Sequence, residues 1–586
     1  MDSHKLDIAG KKDDDPIPTA TYKQIPEEDV DDREPLAKNV VKSHNSTSEA
    51  DGADEKMLPD EEKISPNVTA GDVKFTNKEK QNGDAKLDIG ELKSTFVGMG
   101  KEELMKYAND PFWVRLRWTL FILFWLLWAS MLVGAIVIII GAPKCPRPEP
   151  RTWYEQGPLT EIDPTKITED DLKLLKESGV KGVIADWPLD TYQGVQDSQE
   201  FGDLIKKAQS VELPVIVGLE PAHSMRFFND SESKADAYLN YYYWENPKGP
   251  LENGSSSPPN NWLNPNDSTA WVYSSSRQQY YLAPFGKPQL NLRNPEVKKE
   301  FSKILNGFLD AGVKGIRINK APYMFVDEKL KDEVMGDSMG NFTIGQYNFY
   351  NHDKTMNLND LGVTLNEWKS AIKNKTEDGL LMISEDITSL DPYIFNGSVT
   401  VDLPSNSHVF THPIVSASQL YRDMNLTMSL LRNKWPLWKV KNNTGLDPDV
   451  IDMMTFMFKG STLIPFNYTV NKELLKRRTV PSLTHGTLDQ FLVANQSVYA
   501  FIRKDRKVIS GSPGYLVAIN PSLEEVTVNF PKDTNGVVSD EVTVDLISSN
   551  YNVTDVKSPM KIKADAVKIS PKAGIVLTYQ PKPKEA

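Results

Sequence analysis

The chain has 586 residues and a formal net charge of −13, from 67 lysine and arginine residues against 80 aspartate and glutamate residues. This length is too great for one hydrophobic core and predicts several domains. The acidic balance and the lack of a basic block argue against a nucleic-acid partner. With Cys145 as its single cysteine, the chain cannot form an internal disulfide framework.

The N-terminal region predicts a tail followed by a short helix. Residues 1–100 are rich in Asp, Glu, Lys, Asn and Pro and show no sustained apolar period. Such a segment buries too little surface to offset its conformational entropy, so we expect a disordered tail. Residues 101–117 predict an amphipathic juxtamembrane helix with Phe112 and Trp113 at the membrane interface.

One uncharged segment, Trp118–Ala142, predicts a membrane span. At about 1.5 Å per residue it outreaches a bilayer core of about 30 Å, and it lies too far from the N-terminus for a cleaved signal peptide. Ser130 and Gly134 form a small-xxx-small pair that offers a contact face to a partner helix, although small residues are common in any membrane helix. The Pro-rich residues 143–152 predict a stiff linker.

The orientation of this span follows mainly from N-glycosylation motifs. The flanking charges are a weak signal, because four basic residues closely precede the span and three follow it. Eleven N-x-S/T motifs follow the span and favour an extracellular C-terminal side. We therefore predict a single-pass type II protein with a cytoplasmic N-terminus. The candidate acceptors are Asn229, Asn253, Asn266, Asn341, Asn374, Asn396, Asn425, Asn442, Asn467, Asn495 and Asn552.

The body alternates short apolar strands with amphipathic helices over residues 153–475. This many strand–helix units predicts a parallel sheet closed into a (β/α)₈ TIM barrel. Residues from about 224 to 293, dense in Tyr, Trp, Pro and Asn, predict an inserted subdomain after the third strand. Residues 480–583 change to successive alternating strands and predict a C-terminal antiparallel β-domain.

The body resembles the α-amylase family of glycoside hydrolases, in its α-glucosidase branch. The best local match is the inserted interval, YYYWENPKGP…PPNNW…AW…QQYYL…LNLRNPEV. The resemblance implies a site at the C-terminal ends of the barrel strands. A retaining glycosidase needs a carboxylate nucleophile and a protonated carboxylic acid about 5–5.5 Å apart.

The family's catalytic motifs are incomplete here. Its motif G-F-R-x-D, whose Asp is the nucleophile, reads GIRIN and ends at Asn319. An amide cannot form the glycosyl ester, so Asn319 predicts loss of the retaining mechanism. The acid position is kept as Glu385, at the end of LMISE. The motif that pairs His with Asp places Asn443 and Thr444 at those positions.

The remaining motif, L-D-x-x-P-N-H, keeps only Pro221 and His223. We interpret Glu385, Arg317 and His223 as packing and hydrogen-bonding residues of the barrel rim. The sequence therefore predicts no catalytic residue, no cofactor and no metal site.

A second resemblance covers the segment from Gly98 to Cys145, GMGKEELMKYANDPFWVRLRWTLFILFWLLWASMLVGAIVIIIGAPKC. It is similar to the heavy chains of heteromeric amino-acid transporters, a family of type II glycoproteins with an α-amylase-like ectodomain. The best-known heavy chain of this type lacks the second subdomain, which this chain keeps. The resemblance implies a polytopic light chain as partner and a plasma-membrane location.

Cys145 gains a role from this second resemblance. Taken alone, a single extracellular cysteine is either free or intermolecular. In the family a cysteine just outside the membrane forms a disulfide with the light chain, and Cys145 stands at that place.

We predict a non-catalytic glycoprotein heavy subunit that binds, traffics and stabilises a light-chain transporter. One span cannot build an alternating-access pathway, which requires repeated multi-helix halves. The alternatives are a membrane-anchored α-glucosidase and an adhesion or receptor ectodomain that reuses an enzyme fold.

Overall fold

The computed structural model describes residues 100–141, 149–190, 198–249, 256–337, 340–441, 444–505 and 512–581. The chain divides into two compact units, Met1–Pro143 and Lys144–Ala586. The predicted tail and Cys145 lie outside the described residues.

The described residues of the first unit, 100–141, form the helices α1 (Lys101–Ala108) and α2 (Pro111–Gly141). Helix α2 has 31 residues and is the one described helix that is long and apolar enough to cross a membrane. The predicted juxtamembrane helix 101–117 is divided, because Pro111 has no N–H to continue α1. Asp110 Oδ1 accepts the N–H of Phe112 at 3.1 Å and caps the start of α2. Residues 111–117 are therefore continuous with the predicted span.

The second unit begins with a barrel of parallel strands. In space the strands follow the order β6-β7-β8-β1-β2-β3-β4-β5. The seam between β5 and β6 is nearly closed: the N–H of Ile387 bonds to Ser405 O at 2.9 Å. The prediction of a TIM barrel is confirmed. The strands are β1 (Leu159–Ile162), β2 (Gly182–Asp186), β3 (Val215–Leu219), β4 (Gly315–Ile318), β5 (Leu380–Ile383), β6 (Ser405–Asn406), β7 (Leu437–Lys439) and β8 (Ser461–Ile464).

Several helices of the body begin at a residue whose side chain caps the helix, namely α4, α5, α7, α9 and α11. Thr168 forms a capping box with Asp171 at the start of α4, and Asn294 caps α7 through the N–H of Glu296. The main helices of the body are α3 (Trp153–Gln156), α4 (Glu169–Glu177), α5 (Gln199–Ser210), α6 (Phe228–Glu232), α7 (Pro295–Asp310), α8 (Asp360–Lys375), α9 (Ala417–Leu430), α10 (Pro448–Met457), α11 (Lys472–Arg477) and α12 (Pro481–Thr484).

The segment between β3 and α7 contains a small antiparallel sheet of strands Trp244–Glu245, Trp271–Ser274 and Gln279–Leu282. Its core is aromatic, with Trp262 stacked on Trp271 at 5.9 Å between ring centroids. Asn260 Oδ1 accepts the indole N–H of Trp271 at 2.7 Å, so the buried polar groups of this core are paired.

The C-terminal part is a six-stranded antiparallel sheet in the order β9-β10-β11-β16-β13-β14, with β12 and β15 paired beside it. The predicted antiparallel C-terminal sheet is confirmed. Its elements are β9 (Thr487–Val493), β10 (Val498–Lys504), β11 (Gly514–Ile519), β12 (Val526–Val528), α13 (Phe530–Asp533), β13 (Glu541–Ile547), β14 (Met560–Lys563), β15 (Val567–Ile569) and β16 (Gly574–Tyr579).

Candidate functional site at the barrel rim

Asn319 directly follows β4, at the C-terminal rim of the barrel. Its N–H donates to Leu219 O at 2.7 Å, which continues the β3–β4 pairing by one residue. Its side-chain Nδ2 donates to Asp186 Oδ1 at 3.0 Å. Gly218 leaves room for this carboxylate, because a Cβ there would lie 1.7 Å from Asp186 Oδ1. The amide of Asn319 thus serves as a donor to a neighbouring acid.

Arg317 lies on β4 and joins two carboxylates of neighbouring strands. It donates to Asp186 Oδ1 at 2.7 Å and also bonds to Glu161 Oε1. Its side chain is 8% exposed, whereas those of Glu161 and Asp186 are more than half exposed. Burial alone would lower the pKa of Arg317, but the two acids, Asp186 first, hold it above its ordinary value. The guanidinium therefore stays charged and links β1, β2 and β4.

Glu385, at the acid position, is held by backbone N–H groups. Its Oε1 accepts the N–H of Lys320 at 2.7 Å and its Oε2 the N–H of Ala321 at 3.1 Å. Ser384 Oγ also donates to Oε1 at 2.5 Å. Both oxygens of Glu385 therefore accept hydrogen bonds from groups of the rim itself. A general acid of a glycosidase has to be directed at the leaving group of its substrate.

A third cluster contains Glu220, Lys320 and His223. Lys320 Nζ donates to Glu220 Oε1 at 2.6 Å, and His223 Nδ1 lies 3.1 Å from the same oxygen. Burial would raise the pKa of Glu220, but hydrogen bonds from His223 and Lys320 keep it below its ordinary value. Burial of the imidazole lowers the pKa of His223. Phe285 packs edge-on against His223 at 4.9 Å and lies under Lys320 Nζ at 4.8 Å.

A fourth cluster ties β5, β6 and β7. Lys439 Nζ bonds to Ser384 O and lies 3.2 Å from Asp386 Oδ1. The other oxygen of Asp386 accepts the N–H of Ser407 at 3.1 Å. The rim acids near Glu385 are therefore occupied by internal partners.

Thr444 offers a hydroxyl at the position where the family motif has a carboxylate. It is 5% exposed, and its Oγ1 makes only long contacts of 3.5 Å, to the carbonyl and the N–H of Leu446. Its carbonyl accepts the N–H of Ile414 at 2.7 Å. Asn443 lies outside the described residues.

The described groups of this rim form hydrogen bonds and ion pairs with one another. Covalent glycosidic chemistry needs an ionised nucleophile beside a protonated acid. Asn319 offers an amide, and both oxygens of Glu385 accept backbone hydrogen bonds. Within the described residues no group of three His, Cys, Asp or Glu side chains is placed to hold a metal ion.

The other predicted site residues lie elsewhere. Ser130 and Gly134 are one turn apart on α2, and nothing lies within 4 Å of a Cβ built at Gly134. Asn253 and Asn442 lie outside the described residues. Asn425 is half-buried and its Oδ1 accepts from Gln490 Nε2 at 2.7 Å. The exposed candidate acceptors are Asn229, Asn266, Asn341, Asn374, Asn396, Asn467, Asn495 and Asn552.

Sequence reasoning did not single out Glu161, Asp186 or Lys320, which make the rim's ion pairs. One signal was available for Asp186, since a carboxylate that ends the buried strand GVIAD belongs at the rim of a parallel barrel. Phe285 carried no such signal, because its contacts arise from a segment folded over the rim.

Two family models match the chain. The model for the solute carrier family 3 member 2 N-terminus matches residues 84–160, and the alpha amylase catalytic domain model matches residues 190–440. The first match includes all of α2, and the second includes β4, β5 and the rim residues Asn319 and Glu385. The predicted resemblance to both groups is confirmed.

Curated relatives fall into the same two groups. The chain is 27% identical over 394 residues to the amino acid transporter heavy chain SLC3A1 of Homo sapiens, which is 59% of this chain and 56% of that protein. It is 33% identical to Maltase 1 of Drosophila virilis over 185 residues, 31% of this chain and 29% of the maltase. The chain thus spans about half the length of the heavy chain that it matches.

Solved structures show the fold. The isomaltulose synthase SmuA from Protaminobacter rubrum aligns with a TM-score of 0.56 at 15% identity, over 74% of this chain and 100% of that one. The trehalose-6-phosphate hydrolase TreA of Bacillus licheniformis gives 0.55 at 15% identity, over 73% and 100%. The chain is therefore a relative of the amino-acid transporter heavy chains, with their N-terminal segment and an α-amylase-like body.

Proposed function

We propose that this chain is a non-catalytic glycoprotein heavy subunit that binds, traffics and stabilises a polytopic amino-acid transporter light chain at the plasma membrane. The observation that carries the proposal is the match of residues 84–160, including the apolar helix α2, to a solute carrier N-terminus. The relationship to a transporter heavy chain supports the same role. Transport itself is assigned to the partner, because one helix cannot form an alternating-access pathway.

The proposed topology is type II, with the N-terminus in the cytoplasm and the body outside the cell. Its support is the placement of the N-x-S/T motifs, of which eleven lie C-terminal to α2 and two, at Asn45 and Asn67, lie N-terminal to it. Eight of their asparagines are exposed in the described body, as an attached glycan requires.

The proposed partner contacts are a disulfide through Cys145 and a helix face on α2. Cys145 is the chain's single cysteine and follows the last residue of α2 by four positions in sequence. Ser130 Oγ donates to Leu127 O at 2.8 Å, which satisfies the hydroxyl within its own helix. Together with Gly134 it forms a shallow face on which another helix can approach closely.

The absence of catalysis is part of the proposal. Asn319 stands where the family motif has its nucleophile, and its Nδ2 is a donor to Asp186. Glu385 accepts two backbone hydrogen bonds and one from a hydroxyl, so both of its oxygens are bonded within the rim. Thr444 supplies no carboxylate.

A non-reducing gel of membranes from cells that express the full chain with a light chain tests the partner. The wild type should give a reduction-sensitive band that contains a polytopic transporter on mass identification. Cys145→Ser should lose this band while a non-covalent complex persists, whereas Ser370→Ala at an exposed position on α8, which keeps the thiol, serves as the control. A monomer as the only species in the wild type would refute the disulfide.

The second candidate is a membrane-anchored α-glucosidase, favoured by the relationship to maltases and salivary alpha-glucosidases. It predicts turnover of an α-glucoside by the wild-type chain. The heavy-subunit proposal predicts none, and none in Asn319→Asp combined with Thr444→Asp. A robust wild-type rate would reject the non-catalytic assignment.

A further inference from the structure

A cavity of about 1020 Å³ lies between α9 and the edge strand β9, away from the barrel rim. Arg151, Lys459 and Arg503 contribute cationic side chains to its lining. Asp489 is the one carboxylate that the described lining contains, and it lies 3.2 Å from the ammonium of Lys504. Arg151 is also paired with Glu155, at 2.9 Å between Nη1 and Oε1. Counted with these two ion-pair partners, the cations Arg151, Lys459, Arg503 and Lys504 still outnumber the carboxylates Asp489 and Glu155.

A second cavity of about 330 Å³ shares Arg151 and His485 with the first. It adds the cations Lys181 and Arg478, and its described lining contains no carboxylate. Because the two cavities share these residues, their cationic side chains form one continuous basic surface, which we call the basic cavity.

Two arginines of the basic cavity are bonded to carbonyl oxygens instead of carboxylates. Arg503 is 1% exposed and donates to Leu483 O at 2.6 Å and Thr487 O at 3.1 Å. Arg478 donates to Gly460 O at 2.7 Å and Phe456 O at 2.9 Å, near the C-terminal end of α10. In the described part of the chain neither guanidinium has an acid within ion-pairing distance.

These arginines remain charged, and their charge is not neutralised. Burial, with Arg478 and Arg151 nearby, lowers the pKa of Arg503 to about 9, and burial lowers the pKa of Arg478 to about 10. Both values are above neutral pH. The partial negative charge at the end of α10 offsets only a fraction of a unit charge. An anion in the basic cavity would neutralise the remaining positive charge. The attraction would be stronger than in water, because the surroundings of the buried guanidinium groups are less polar than water.

One part of the lining, which we call the aromatic wall, is apolar and lies directly against Arg151. Trp435 lies under Arg151, with 4.2 Å between the guanidinium carbon and the ring centroid. Met428, Leu488 and Phe491 extend this wall. A bare inorganic anion would leave it uncovered. The volume is that of a site for an organic ligand of drug size, about 300–1,000 Å³.

We propose that the basic cavity binds a phosphate ester that carries an apolar or ring-shaped group. The guanidinium of Arg151 and the ammonium of Lys459 face the phosphate, since planar forks and ammonium groups both pair with phosphate oxygens. Trp435 and Phe491 contact the organic part. Such an ester has two sources, a membrane phospholipid or a soluble metabolite, and Arg151 follows the last residue of α2 by ten positions in sequence.

The test uses the full chain in nanodiscs of phosphatidylcholine and titrates a soluble phosphate ester, dihexanoyl phosphatidic acid, by calorimetry. The double variant Arg151→Gln with Lys459→Gln should bind about tenfold more weakly or worse, because charge-assisted hydrogen bonds are lost. The control is a double variant that removes two positive charges far from the basic cavity in sequence, Lys303→Gln on α7 with Lys568→Gln on β15. It should bind the ester as tightly as the wild type does. Thermal melting of each variant verifies that it is folded.

Two further measurements identify which part of the ester is recognised and where the ester comes from. Trp435→Ala should weaken the ester several-fold and leave inorganic phosphate unaffected. Nanodiscs that contain phosphatidic acid should compete with the soluble ester if the lipid is the source; undiminished binding of the ester there would assign a soluble source. Absence of ester binding, or equal weakening in both double variants, overturns the proposal. None of these outcomes depends on Cys145 or on a light chain.

Discussion

Asn319 and Asp186 form a donor–acceptor pair at the ends of β4 and β2, across the intervening strand β3, with 3.0 Å between Nδ2 and Oδ1. The same oxygen of Asp186 accepts from Arg317 at 2.7 Å. The amide nitrogen at the nucleophile position therefore has an acceptor, whereas Asn319 Oδ1 is buried without a hydrogen-bond partner among the described residues. A carboxylate there would place two acids in contact.

Asn319→Asp should destabilise the chain by about 1–3 kcal/mol at neutral pH, because a donor is lost and two carboxylates meet. The loss should shrink as the pH falls and one acid of the pair takes a proton. Unfolding measured against pH checks this. The swap Asn319→Asp with Asp186→Asn restores a donor and an acceptor and should recover part of the stability. Equal stability of Asn319→Asp and wild type at neutral pH would contradict the pairing.

Glu385→Ala should cost about 1–3 kcal/mol, because the N–H groups of Lys320 and Ala321 lose their acceptor. Denaturant unfolding measures the change. Glu161→Ala, which removes a largely exposed carboxylate, is the control and should cost less. If Glu385→Ala were neutral or stabilising, Glu385 would not serve the structural role assigned to it.

Asp452 on α10 predicts a pH dependence of stability. Burial raises the pKa of this acid, and a hydrogen bond from Tyr468 lowers it. The effect of burial is larger, so the pKa rises from 3.8 to about 7. Between these values the folded state binds more protons than the unfolded state, so stability falls as the pH rises from about 4 to about 7, by up to about 4 kcal/mol.

Asp452→Asn should remove this dependence and gain stability most clearly near pH 7. The difference in unfolding free energy between variant and wild type, measured from pH 4 to pH 8, isolates the group. Asp540→Asn, at an exposed position, should give a flat difference. A flat difference for Asp452→Asn as well would disprove the raised pKa.

Asn425 should carry no glycan, although it starts an N-x-T motif. Its Oδ1 accepts from Gln490, and the motif's Thr427 is 1% exposed. Asn396, in an exposed turn between two short strands, is the comparison and should be modified. Mass spectrometry of glycopeptides measures the glycan occupancy of both asparagines. A glycan found on Asn425 would show that the pairing with Gln490 does not form in the mature protein.

Gly134→Leu and Ser130→Leu should weaken light-chain association, because larger side chains hold the partner helix away. Leu132→Phe adds bulk to the opposite face of α2 and is the control. Quantitative co-purification with the Cys145→Ser background removes the contribution of the disulfide. Equal losses for both faces would reject a specific contact at Ser130 and Gly134.

The sequence predicts those parts of the fold that follow from local pattern. Buried runs such as VIVGL and GIRI, each preceded by an amphipathic helix, predict β3 and β4. Strand β6 has two residues, Ser405 and Asn406, and owes its place to pairing with β7. No apolar pattern marks it.

The sequence predicts which residues belong to the candidate site, but it does not predict the contacts between them. The motif ending at Asn319 and the acid Glu385 can be recognised from the sequence alone. The hydrogen bonds from Lys320 and Ala321 to Glu385 join residues 65 and 64 positions apart, and depend on the left-handed backbone of Lys320, at φ 55°. Such a conformation at a lysine is set by tertiary context, which periodicity does not report.

The barrel closes by pairing its first strand with its last, Leu159 with Leu463 and Thr160 with Ile464. This contact spans some three hundred residues, so loop-closure entropy opposes it until nearly the whole body exists. During synthesis the nascent barrel must therefore stay open, with one edge of β1 paired to β2 and the other edge unpaired, until Ser461–Ile464 leaves the ribosome. A chain that ends before β8 exposes that edge permanently and becomes a substrate for chaperones and degradation.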